Sequence, residues 1–84
     1  MTILLFSQDK CTPCSQLSRW MINNKIPFTR LDVFVDTAEF HKYGVMSTPT
    51  VVVLDGSGKE IHRAVGLVPS ITLTRLIGPE VVTH

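Results

Sequence analysis

The first part of the chain pairs a short apolar run with a longer segment of helical period. Residues 2–7 hold four consecutive apolar side chains and predict a buried strand. Residues 11–24 carry apolar side chains at three- and four-residue spacing, which predicts an amphipathic helix with one face toward the core. This apolar stripe is Cys14, Leu17, Met21 and Ile22. Residues 26–33 predict a second strand, and a strand, a crossover helix and a parallel strand form a right-handed βαβ unit.

The second part of the chain predicts a short helix, a hairpin and a last helix. The short helix covers residues 37–43, with Thr37 as its N-cap. The β-branched run 51–54 predicts a strand, and the Asp-Gly-Ser-Gly sequence after it turns the chain into a return strand over 59–65. A final helix is predicted over 69–77. The predicted order of elements is β-α-β-α-β-β-α.

Composition places the chain, residues 1–84, among small globular proteins of a single domain. It is 44% hydrophobic and 18% charged, and its net charge of +1 with a pI near 7.8 provides no basic field for nucleic acid. Its apolar runs fall far short of the about 20 residues that a helix needs to cross a bilayer. No signal-like segment precedes the first strand. We therefore expect a monomeric, cytoplasmic protein that binds neither nucleic acid nor membrane.

The candidate reactive residues are Cys11 and Cys14, the only two cysteines in the sequence. Their spacing puts the two sulfurs about one helical turn apart, where the first strand passes into the helix. Pro13 suits the first turn of a helix, so we expect Cys11 at the solvent edge and Cys14 facing the core. A disulfide that closes so small a loop would stabilise the fold little, which leaves a redox-active or a metal-binding pair. Structural zinc needs four ligands, and neither His41 nor His62 has a second histidine spaced to complete the set.

Four local motifs, in order and at matching spacing, resemble the thioredoxin and glutaredoxin superfamily across essentially the whole chain. They are Cys11-Thr12-Pro13-Cys14, the segment 43–50 with its Thr48-Pro49, the hairpin 51–58 and Gly66. The resemblance implies an α/β protein with the minimal thioredoxin fold, a four-stranded mixed sheet flanked by helices. Its first two strands would be parallel and its hairpin antiparallel to them. It also implies a cis bond between Thr48 and Pro49, packed against the cysteine pair.

The sequence departs from the family pattern around the cysteines and after the last strand. Thioredoxins carry a Trp before the first Cys and a buried acid six positions before it, whereas Lys10 and Leu5 stand there in this chain. Arg30 stands where thioredoxins carry a partner Lys, and we expect it to be a solvent-facing strand residue. The Gly-Gly and acidic pair with which glutaredoxins bind glutathione have no counterpart. The resemblance therefore implies thioredoxin-type chemistry on a glutaredoxin-sized frame.

The resemblance implies a thiol–disulfide oxidoreductase that acts as a dithiol protein-disulfide reductase. Cys11 is assigned as the nucleophile, because only a thiolate attacks a disulfide and a helix N-terminus favours that anion. Cys14 is the resolving thiol that releases the mixed disulfide. The residues expected to bind the client are Thr12, Pro13, Thr48, Pro49 and Gly66. Lys10 is expected to favour the thiolate by its proximity.

The resemblance also implies the cofactor and partner requirements. No cofactor is bound, the redox group is the Cys11–Cys14 disulfide, and its electrons come from NADPH through a thioredoxin reductase-like flavoprotein. The clients are disulfide-containing proteins, ribonucleotide reductase among them. Two alternatives stay open: a glutathione-coupled glutaredoxin, and a non-catalytic module that binds a partner protein through the same groove. Motif spacing does not determine the reduction potential, so an oxidant or isomerase role also stays open.

Overall fold

Four strands and two helices follow one another in a computed structural model of the protein, which describes residues 2–66. The elements are β1 (Thr2–Ser7), α1 (Thr12–Asn23), β2 (Thr29–Asp32), α2 (Thr37–Lys42), β3 (Thr50–Leu54) and β4 (Glu60–Val65). The predicted last helix over 69–77 lies outside the described residues. Neither α1 nor α2, the helices of the described part, is long and apolar enough to cross a membrane.

The strands form one mixed sheet in the order β2-β1-β3-β4. β1 is parallel to β2, with Leu5 opposite Arg30, and antiparallel to β3, with Leu5 opposite Val51. β3 and β4 form an antiparallel hairpin. The predicted βαβ unit and hairpin are therefore confirmed, and the sheet has the mixed four-stranded arrangement that the resemblance implied.

Because successive side chains of a strand point to opposite faces of the sheet, they pack into two separate cores, one on each face. The face covered by α1 is filled by Ile3, Leu5, Leu17, Met21, Ile26, Val51, Val53 and Ala64. The face covered by α2 is filled by Leu4, Phe6, Leu31, Phe40, Val45, Val52 and Leu54. Phe6 of β1 and Phe40 of α2 meet edge to face, with ring centroids 4.9 Å apart. Helices on both faces of the sheet, as predicted, are confirmed.

Two predictions for the region where α1 ends are wrong. Ile22 does not belong to the core stripe, because it is 63% exposed while Met21 beside it is fully buried. The second strand is also shorter than the predicted range 26–33. Ile26 packs in the core on the α1 side, but its N–H donates to the Met21 carbonyl at 2.9 Å and not to a neighbouring strand. Lys25 has a positive φ of 57°, so the chain is still turning there and β2 begins later.

The N-cap of α2 is Asp36, not the predicted Thr37, which is the first helical residue. The Asp36 carboxylate makes no bond to its own helix. Its Oδ2 accepts a hydrogen bond from the Asp32 N–H at 2.8 Å instead. A side chain that could have capped α2 therefore ties the end of β2 to the start of the helix.

Candidate active site

Cys11 occupies the N-cap position of α1. Its backbone is extended, with φ −103° and ψ 101°, and its Sγ accepts a hydrogen bond from the Cys14 N–H at 3.2 Å. Serine, threonine or aspartate usually provides this acceptor, so a sulfur stands here where a capping oxygen is normally found. Thr12 and Pro13 are the first two helical residues, a place where proline costs no hydrogen bond. The Cys11 sulfur is thus held against the free N–H groups of the helix start.

The two cysteines form a disulfide and differ in exposure. Their Cα atoms are 5.2 Å apart. Cys14 lies on the core-facing stripe of α1 and is 2% exposed, whereas Cys11 is only partly buried. A protein disulfide can therefore approach the Cys11 sulfur from solvent but not the Cys14 sulfur. The pair has an outer and an inner member, in the order that its spacing predicts.

Thr48, Pro49 and Gly66 lie together on the other side of Cys11. The peptide bond between Thr48 and Pro49 is cis. Thr48 Oγ1 lies 4.0 Å from Cys11 Sγ, at the long limit of a hydroxyl–sulfur hydrogen bond. The Gly66 N–H donates to the Pro49 carbonyl at 2.8 Å, and Gly66 has a φ of 84°, which a residue without Cβ adopts readily. The structure therefore brings these three predicted site residues to one place.

The surroundings of the Cys11 sulfur favour negative charge on it. Two donors point at it, the Cys14 N–H and the Thr48 hydroxyl. The N-terminus of the 12-residue helix adds partial positive charge, and its first turn contains no acidic residue. Lys10 directly precedes Cys11, is exposed, and has a positive φ of 58°. Because its ammonium is in water and screened, its influence on the thiolate stays a prediction.

Sequence reasoning missed Ser7 and the polar pair that it forms with Arg30. Ser7 is fully buried at the end of β1, and its hydroxyl donates to the Leu31 carbonyl at 3.2 Å and accepts from Arg30 Nε at 2.9 Å. Arg30 is exposed, as predicted, but it also lines an open cavity of about 250 Å³ together with Cys14. The signal that could have found Ser7 is the alternation of β1, which places it on the same face as Leu5, beneath α1.

His41 and His62, the candidate zinc partners of the cysteines that we expect to be ordinary surface residues, lie in other elements of the fold. Within residues 2–66, no group of three or more His, Cys, Asp and Glu side chains lies close enough together to hold a metal ion. His41 is in α2 and His62 is in β4, whereas both cysteines are at the start of α1.

Comparisons with known proteins agree with this geometry. A family model described as a thioredoxin-like domain matches residues 1–78. The chain belongs to the thioredoxin-like domain family. One relative is the SPbeta prophage-derived thioredoxin-like protein YosR of Bacillus subtilis, which is 30% identical over 70 residues that cover 83% of this chain and 88% of the relative. The thioredoxin of Chlamydia muridarum is 28% identical over 82 residues, covering 92% of this chain and 79% of that protein.

Solved structures show the same architecture as this thioredoxin-like chain. Thioredoxin 1 from the thermophilic eubacterium Thermosipho africanus superposes with a TM-score of 0.74 at 26% identity, covering 92% of this chain and 90% of that chain. The thioredoxin-like fold together with a redox-type Cys-x-x-Cys pair supports a thiol–disulfide oxidoreductase in general.

Proposed function

We propose that this thioredoxin-like protein reduces protein disulfides by dithiol exchange, with Cys11 as the nucleophile and Cys14 as the resolving thiol. The observation that carries the proposal is the asymmetry of the pair. Cys11 is accessible, caps α1 and has two donors directed at its sulfur, while Cys14 is buried beside it. Dithiol exchange uses this arrangement, because an accessible thiolate attacks the client and a shielded neighbour releases it.

The proposed reaction consists of two thiol–disulfide exchanges. The Cys11 thiolate attacks one sulfur of the client disulfide, which forms a mixed disulfide and expels the other client sulfur as a thiolate that takes up a proton. Cys14 then loses its proton to water, and its thiolate attacks the Cys11 sulfur. The Cys11–Cys14 disulfide forms and the second client thiolate leaves and is protonated. Two electrons have then passed from the dithiol to the client.

The client is proposed to lie across the helix start and the cis-proline segment. Thr12 and Pro13 are exposed on one side of the Cys11 sulfur, and Thr48 is partly buried on the other. Thr48 precedes β3, so its backbone is outside that strand and is the proposed pairing partner of an extended client segment. Met46, which is 97% exposed, adds an adaptable apolar side chain two residues before Thr48.

The electrons are proposed to come from NADPH through a thioredoxin reductase-like flavoprotein, with no cofactor bound to this protein itself. The relationship to thioredoxins from Chlamydia muridarum and Thermosipho africanus supports this route. So does Pro13, which directly precedes the second cysteine, as it does in thioredoxins. We propose a monomer that works in the cytoplasm on disulfide-containing proteins, and ribonucleotide reductase is the first client to assay.

The roles of the two thiols are tested by the reduction of insulin disulfides with purified variants. Cys11→Ser should abolish turnover, because the attacking sulfur is gone. Cys14→Ser should accumulate a mixed disulfide between Cys11 and the client, which mass spectrometry detects and dithiothreitol releases. Gln16→Ser, at an exposed position of α1, is the matched control and should keep full activity. Full activity in Cys11→Ser, or no trapped complex with Cys14→Ser, would contradict the assignment.

The electron donor is tested by offering the oxidised protein two reducing systems. NADPH with a thioredoxin reductase should reduce the Cys11–Cys14 disulfide, and glutathione should reduce it far more slowly. Turnover with glutathione alone would assign the glutaredoxin-type alternative. Binding of a client protein without turnover in either system would assign the non-catalytic binding module.

A further inference from the structure

The cavity beside Cys14 carries positive charge. It has a volume of about 250 Å³, and its lining consists of Cys14, Ser15, Ser18, Arg19, Ile22 and Arg30. Two guanidinium groups therefore share the cavity with the buried sulfur, and no carboxylate of the described part lines it. A guanidinium is protonated throughout the physiological pH range, and a nearby positive charge favours an anion.

Arg30 is held on the sheet side of this cavity. Its Nε donates to the Ser7 hydroxyl at 2.9 Å, and the fully buried Ser7 donates its own proton to the Leu31 carbonyl. Because the Ser7 hydroxyl is neutral, this hydrogen bond does not itself neutralise the charge of Arg30. The ion pair found within residues 2–66 is a different one, between Arg63 and Glu60 in β4.

Several other charged or titratable groups surround the two sulfurs and Arg30. They are Lys10 and Arg19 on the side of α1, and Asp9 and Asp32 in a second cavity of about 440 Å³ that Arg30 also borders. Neither of these carboxylates lines the cavity with Cys14, and neither forms an ion pair with Arg30. The groups that share the cavity with the Cys14 sulfur and carry charge are therefore cationic.

We propose that Arg30, anchored by Ser7, is a positioning residue that stabilises the thiolate of Cys14 in the resolving step. The proposal rests on the proposed function, in which Cys14 attacks the Cys11 sulfur of the mixed disulfide. Leu5, the register partner of Arg30 in β1, is fully buried and cannot accept a proton. The Cys14 proton leaves to water in the open cavity, and the guanidinium balances the charge left on sulfur until the new disulfide forms.

The first test is the titration of Cys14 as the sole cysteine, in a Cys11→Ala background. The ultraviolet absorbance of the thiolate is followed against pH. Adding Arg30→Met should raise the midpoint by about 0.5 to 1 pH unit, a moderate shift because the cation is partly exposed to solvent. Arg30→Lys should restore most of the original midpoint. The matched control is Lys59→Met, which removes an equal charge from the hairpin turn, away from the cavity. This control should leave the midpoint unchanged.

The second test follows the resolving step in the protein with both cysteines. A nitrobenzoate disulfide reagent reacts first with Cys11, and attack by Cys14 then releases a second coloured thiolate. Arg30→Met should slow this second phase about two- to fourfold at neutral pH, because the smaller thiolate fraction is partly offset by the higher nucleophilicity of a thiolate of higher pKa. The slowing should disappear in alkaline solution, where Cys14 ionises without assistance and the variant thiolate is at least as nucleophilic.

Two results would overturn the proposal. One is a midpoint and a second phase that are the same in Arg30→Met and in the wild type. The other is a second phase that is slower at every pH with an unshifted midpoint, which would give Arg30 a purely structural role. Neither test uses a client protein, so a wild type that is inactive on insulin but sensitive to Arg30→Met would refute the reductase assignment alone. An active reductase that is indifferent to Arg30→Met would refute this inference alone.

Discussion

Asp55 holds the turn between β3 and β4 with a single carboxylate. Its Oδ1 accepts hydrogen bonds from the Ser57 hydroxyl at 2.7 Å, the Ser57 N–H at 2.9 Å and the Lys59 N–H at 3.0 Å. These bonds, with the Ser57 hydroxyl contributing most, hold the pKa of the Asp55 carboxyl below its ordinary value of 3.8. The sequence predicts this turn because such bonds involve only neighbours in the chain.

Asp55→Asn should destabilise the protein at neutral pH and not in strong acid. Because the folded-state pKa is depressed, the stabilisation is complete above the unfolded-state pKa and is lost as the pH falls through the folded-state value. The effect should be small, since the turn lies at the protein surface. Urea unfolding midpoints of wild type and variant should therefore converge as the pH is lowered. A gap that stays constant with pH would contradict the expectation, and Asp9→Asn is the control carboxylate outside the turn.

Single residues of the site differ in how far the sequence reveals them. Cys11, Cys14 and Pro49 stand out because a cysteine pair and a Thr-Pro before a β-branched run are local patterns. Ser7 does not stand out, and for Arg30 the sequence predicts only a solvent-facing side chain, because their hydrogen bond joins residues 23 apart in the chain. That bond exists because Leu5 pairs with Arg30 in the sheet, and serine and arginine are ordinary residues outside that register.

Helix α1 shows what periodicity predicts for an element and where it fails. Cys14, Leu17 and Met21 are buried, as their three- and four-residue spacing predicts. Ile22 follows the stripe directly in sequence, but one residue is about 100° around a helix of 3.6 residues per turn, which turns it off the buried face. An apolar residue in a helix is therefore predicted to be buried only if it also lies on the side of the helix that faces the core.

Truncation of two neighbouring side chains on α1 should lower the free energy of unfolding by very different amounts. Met21→Ala should lower the free energy of unfolding by about 2–5 kcal/mol, because it opens a cavity in the core on the α1 side. Ile22→Ala should change it by less than about 1 kcal/mol, since that side chain is 63% exposed. Urea unfolding of both variants measures the difference, and equal losses would contradict the assignment of the buried face.

The second strand shows the limit of apolar runs as a predictor of element length. Ile26 is buried and apolar, yet it lies in the turn after α1. Pro27 cannot donate to a neighbouring strand, and β2 begins only at Thr29. Burial of Ile26 therefore comes from packing against α1 and the sheet, which an apolar run in the sequence does not distinguish from strand pairing.

In the described part of the molecule, the sheet has two central strands and two edge strands. β1 and β3 lie between the other strands, and both contribute side chains to the cores on both faces. Within residues 2–66, β2 and β4 each pair with one strand only. Stability should therefore be highest at the centre of the sheet.

Native-state hydrogen exchange should show this gradient. The hydrogen-bonded amides of β1 and β3 should exchange on average more slowly than those of β2 and β4, because they open only when both cores are disrupted. Exchange followed by nuclear magnetic resonance at neutral pH measures the rates strand by strand. Amides of β4 that exchange as slowly as those of β3 would contradict the expected order, whereas slow exchange confined to the two central strands would support it.

The sequence by itself determined the type and order of the four strands and the two described helices, the hairpin, and the placement of the cysteines at a helix start. Each of these depends on residues close together in the chain. The family resemblance implied that Thr48-Pro49 packs against the cysteine pair, but only the tertiary structure decided which polar groups contact the sulfurs and one another. Thr48 reaches Cys11 across 37 residues, and Arg30 reaches Ser7 across 23. Both contacts depend on the alignment of strands in the sheet, where a shift of one residue would turn a side chain to the opposite face.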